Sequence, residues 1–203
     1  MKGTQSHHVG EPAGPSAPPP VDGPPGVPPG GPVTTVLSPR IAPTVAAELL
    51  RRAEEDRELM REAAAAPSAE RGRRVLRCHR DNAEALAAIV RRYGWPAADV
   101  VGGPASTAAL MILLHAPDLG FRLRCRGLIA QATADGRCPA VHFAYIADHC
   151  AVEQGEPQFY GTRIDPVTLR PYPVRRPQTL DERRQDVGLG PLEEQMRALR
   201  LHG

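Results

Sequence analysis

His115 and Asp148 are the two residues whose types and places in the chain suit proton transfer. His115 closes the most apolar segment, "ASTAALMILLH". An imidazole at a helix C-terminus is favoured as the cation by the helix dipole, by about 0.3–1 kcal/mol, and it can cap carbonyls there. Capping is a sufficient structural reason for such a histidine. A titratable group ending a buried helix is also well placed to line a pocket. Imidazole titrates near neutrality, and general acid–base work of this kind is worth about 10²–10⁴-fold. In this reading Asp148, carried by another helix, orients His115 or acts as the second carboxylate.

Other chemistries find less support. His142, Tyr145 and His149 stand at i, i+3 and i+7 and share a helix face. The two histidines are about 10.5 Å apart along the axis, too far to share one metal. Zinc would need His115 or a cysteine to converge in space, so no metal ligand set and no cofactor is assigned. Cys78, Cys125, Cys138 and Cys150 contain no C-x-x-C pair, which fits neither a zinc ribbon nor a redox dithiol. None stands at an elbow or helix start that lowers a thiol pKa, so all four read as buried, reduced thiols. The chain shows no G-x-S-x-G, phosphate loop or dinucleotide fingerprint.

The elements that position these groups follow from hydrophobic spacing. From Pro12 to Pro32, 15 of 21 residues are Pro or Gly. Such a segment cannot bury enough apolar surface to offset its ordering entropy, so residues 1–42 are expected to be a disordered tail. It can act as a spacer or as a proline-rich ligand for a protein partner. Order is expected over 43–203 as a single, mainly α domain. "TVAAELLRRAEEDRELMREAAAAP" places Val45, Leu49, Ala53 and Met60 near helical spacing, with Thr44 as N-cap and Pro67 past the end. A second helix follows over about 70–93. Its five arginines from Arg71 to Arg80 are flanked by acids and read as a solvated face. "ASTAALMILLH" is apolar almost all round, which marks a buried helix. Further helices are expected over about 118–134, 139–153 and 191–201. The turn residues of 158–175 point to a loop or short β-hairpin.

Composition narrows the partners. A formal charge of +2 is too small to argue for nucleic acid or a membrane surface. No apolar run approaches the about 18 residues of a membrane span, and the first residues lack the apolar core of a signal peptide. A cytoplasmic location is expected.

Taken in order, "AAELLRRAEEDR", Asp81-Asn82, "YGWP" at 93–96, the helix ending at His115, "AYIAD" at 144–148, "PQFYGT" at 157–162 and "DERRQDVGLGP" at 181–191 resemble the bacterial family catalogued as domain of unknown function 6624. The resemblance covers about 41–198 and implies an all-helical domain with no established activity to transfer. Leu114, Pro117, His149 and Arg163 depart from the family's pattern, with Asp118 offered as a replacement acid one residue late. The resemblance implies that the loop "PQFYGTR" lines a site, with Gln158, Tyr160 and Arg163 presenting donors and Trp95 of the "YGWP" loop contacting the ligand. The competing reading is a loop whose Phe159 and Tyr160 plug the core.

Two functions fit. One is an enzyme using His115 and Asp148 in acid/base chemistry on a small anionic molecule, with Arg163 as the anion anchor. The other is a non-catalytic ligand-binding or protein-interaction module.

Overall fold

The computed structural model of the chain describes residues 40–202. Of the tail expected over 1–42, residues 1–39 lie outside that range. The described residues form eight α-helices: α1 (Ala42–Ala65), α2 (Ala69–Tyr93), α3 (Ala98–Val101), α4 (Gly103–His115), α5 (Leu119–Ala134), α6 (Ala140–Glu153), α7 (Leu180–Asp186) and α8 (Leu192–His202). The mainly α expectation holds, while the short α3 and α7 were too brief to show a period.

Helix ends follow local chemistry. α1 begins two residues before the expected Thr44 cap, at Ala42, with Pro43 in its first turn. Proline there has a preset φ and lacks only a donor that would be unpaired anyway. Ser68 caps α2 by accepting from the Arg71 amide at 3.2 Å, and Asp118 caps α5 by accepting from Gly120 at 2.8 Å. Asp118 is therefore a solvent-side capping residue rather than a replacement acid.

α4 is the hub. Ala105, Ala108, Ala109, Ile112 and Leu113 are all buried, as a helix apolar on every side requires. It packs against α1, α2, α3 and α6, while α1 lies on α2 and α5 on α6. The buried side of α1 carries Val45, Leu49 and Asp56, and that of α2 carries Asn82 and Leu86. Polar residues thus stand in line with core leucines on both helices.

Residues 158–175 contain no strand, only isolated bridges pairing Gln158 with Val174 and Ile164 with Pro171. Pro166, Pro171 and Pro173 remove the amides that a continuous ladder needs. The turn is closed instead by Asp165, whose amide donates to the Arg170 carbonyl at 2.9 Å.

Candidate functional site

Three helices bring one carboxylate between two imidazoles. His115 Nδ1 at the end of α4 lies 2.7 Å from Oδ2 of Asp56 on α1. His79 Nε2 on α2 lies 3.0 Å from the other carboxylate oxygen, Oδ1. The two rings stack with centroids 4.7 Å apart. Asp56 is 4% exposed, whereas the His115 side chain keeps 26% of its surface open, so solvent reaches the cluster from the His115 side. Burial pushes the Asp56 carboxyl up, but the hydrogen bond from His115 and the positive charge of both His115 and His79 outweigh it and hold the group well below the usual carboxylate range. Asp56 is thus an ionised acceptor that fixes His115, with His79 in ion-pair reach. A groove of about 270 Å³ runs between α1 and α2, and its lining includes Glu55 and Cys78, the chain neighbours of Asp56 and His79.

Asp148 has a different task. It is fully buried on α6, and both of its oxygens are taken by the loop that follows. Oδ1 accepts from the amides of Phe159 at 2.7 Å and Tyr160 at 3.0 Å. Oδ2 accepts from the amide and the hydroxyl of Thr162, each at 2.9 Å. The carboxylate that meets His115 is therefore Asp56, not the expected Asp148.

Gln158 is likewise consumed by the fold. Its amide nitrogen donates to the carbonyls of Arg163 and Tyr172, and its oxygen accepts from the Arg163 amide. No donor is left for a ligand. Tyr160 gives its amide to Asp148, and its carbonyl accepts from Arg184 Nη1 at 2.7 Å. Arg184 is 1% exposed and also donates to the Gly190 carbonyl and to Gln195, so it ties the loop to α7 and α8. Gly161 has φ +67° and sits against Leu192 and Leu180, which explains a glycine there. Trp95 belongs to the core at 6% exposure. Of the expected ligand-contacting residues, the half-buried Tyr160 keeps its side-chain hydroxyl and Arg163 remains available: its Nε is buried without a hydrogen-bond partner, and no carboxylate pairs with it among the described residues.

Arg163 faces a second cationic neighbourhood. His149, buried on α6, lies 2.7 Å from Arg122 Nη1, and Glu153 lies 3.5 Å from Arg122 and 3.8 Å from His149. Burial first, then the charges of Arg163, Arg122 and His115, push the His149 imidazole down to about 3. His149 is therefore neutral at physiological pH, and His115 is near enough to act on it. The cysteines are free. Burial pushes Cys125 up to about 12, so it supplies no thiolate nucleophile.

Sequence reasoning pointed to His115 and passed over Asp56 and His79, which the structure gathers around it. The signal was present: Asp56 falls seven residues after Leu49, and His79 three and seven before Asn82 and Leu86. Each is a polar residue on an inward stripe.

The chain belongs to DUF6624, a family of unknown function whose model matches residues 43–202. No curated protein and no solved structure matches it.

Proposed function

We propose that the protein is a cytoplasmic enzyme carrying out acid/base chemistry on a small anionic molecule, with the proton exchanged at the open edge of His115. The observation that carries this reading is the His115 Nδ1–Asp56 Oδ2 contact of 2.7 Å. A buried carboxylate fixes the imidazole while the ring stays accessible, the arrangement general acid–base catalysis needs. Asp56 takes the orienting role first given to Asp148. Arg163, with a buried guanidinium nitrogen left unpartnered, supplies the charge that selects an anion, because a partly buried unpaired charge is costly until it meets one. No helix among the described residues is long and apolar enough to cross a membrane, and four free thiols suit a reducing compartment. The proline-rich segment serves as a tether or as a ligand for a protein partner.

The observation favouring a non-catalytic module instead is that Asp148, Gln158 and Trp95 all serve the fold. A metabolite-library thermal-shift screen separates the two. An anionic ligand should raise the melting temperature of wild type and not of His115→Gln, and its turnover should depend on His115. Equal shifts in both proteins overturn the acid/base reading.

A further inference from the structure

We propose that Asp56, His79 and His115 form a binding site for one first-row divalent cation of the zinc class. This deepens the reading above and rests on its placement of the reacting centre: His115 would hold the cation, and a water on the cation's open side would take over from the imidazole as carrier of the exchanged proton.

The geometry points to a cation in three ways. The candidate donor atoms come from three separate helices, yet all lie within 4.8 Å of one another. Tetrahedral ligands at about 2.0–2.2 Å from zinc stand about 3.4 Å apart, so the carboxylate contacts of 2.7 Å through Oδ2 and 3.0 Å through Oδ1 open by several tenths of an ångström to admit the ion.

The second observation is an unsatisfied pair. Asp56 Oδ1 and His79 Nε2 are both buried and have no hydrogen-bond partner among the described residues, although they lie 3.0 Å apart. They face each other out of line for an N–H to be shared. Buried polar atoms are nearly always satisfied, and an exception calls for a reason. A cation accepting a lone pair from each satisfies both at once.

Third, the donor set names the metal class. Two imidazole nitrogens and one carboxylate suit zinc and its neighbours, whereas calcium and magnesium take oxygen ligands. Three protein ligands leave a fourth position free, and the exposed side of His115 is where solvent enters.

Calorimetry on the full chain, stripped with chelator and titrated with zinc sulfate, tests this. One zinc should bind per chain. Asp56→Asn, His79→Gln and His115→Gln should each weaken binding by about tenfold or more, at least as much as loss of an outer-shell partner does. A His7→Ala, His8→Ala control should bind like wild type. Circular dichroism reports whether each variant folds. For any that does not, cobalt(II) added to wild type decides, since the site predicts tetrahedral visible absorption that zinc displaces and magnesium does not. Absence of saturable zinc binding, or equal affinity in all folded variants, overturns the proposal. That result leaves the His115-dependent ligand screen standing by itself. Zinc binding without a His115-dependent ligand removes the acid/base reading and keeps the metal.

Discussion

His79 and His115 stack ring on ring, with centroids 4.7 Å apart and planes 25° from parallel, and both reach with a ring nitrogen to a carboxylate neither neighbours in sequence. Each imidazole addresses a different oxygen of Asp56, so the three side chains lock α1, α2 and α4 at one point.

Asp56→Asn keeps the shape and removes the charge that both histidines address. A hydrogen bond to a charged group contributes about 1.5–3 kcal/mol, so the variant should lose about that much folding stability. Urea denaturation measures it. A change below about 0.5 kcal/mol would show that the cluster adds nothing to holding the three helices.

Acid should destabilise the protein through His149. Its folded-state pKa lies near 3 against about 6.5 unfolded, so the unfolded chain binds the extra proton first. Stability from this group is complete above about pH 6.5 and falls as pH drops toward 3, with a slope of up to about 1.4 kcal/mol per pH unit. His149→Gln should flatten the profile in that window. An unchanged slope would place the sensitivity elsewhere, with His142, also pushed down by burial, next in line.

Asp148→Asn should loosen the loop without touching the His115 centre. The amide keeps one acceptor oxygen for four buried donors, and each donor left unpaired costs about 1–3 kcal/mol. Hydrogen exchange should show lost protection at Phe159, Tyr160 and Thr162, with zinc or ligand affinity within about twofold of wild type. A selective loss of binding with the loop still protected would return Asp148 to the catalytic set.

Arg163→Gln should leave folding stability within about 0.5 kcal/mol, the usual range for a substitution that breaks no paired contact. Affinity for acidic ligands should fall by about tenfold or more, the loss of one charge-assisted bond. Removing this cation should also raise the His149 pKa, visible in an NMR titration. A marked drop in stability would instead make Arg163 a tie for its own loop.

The major helices were legible because their apolar residues recur at helical spacing over many turns, as in Val45 and Leu49 or throughout 105–113. α7 was not, since seven residues with three acids and two arginines present almost no apolar face. His115 stood out because it ends a uniformly apolar run. Asp56 was hidden among Glu54, Glu55, Arg57 and Glu58, where one more charge looks like solvent-facing surface. Only the packing of α1 against α4 and α2 shows that it points inward. Gln158 misled in the opposite sense. Its amide looked like a free ligand donor, and nothing in the sequence says that the carbonyls of Arg163 and Tyr172 fold back to use it.

The four donors gathered by Asp148 turn a segment without strands into an extension of α6. One carboxylate does there what a ladder of paired strands does elsewhere, and it sits one position from His149. Helix and loop therefore move as a single lever: whatever displaces α6 carries the Arg163 guanidinium along with the His149 ring. The spacing between those two groups is set by Asp148 together with Gln158, which holds the Arg163 backbone, so the site can tilt as a unit but cannot spread.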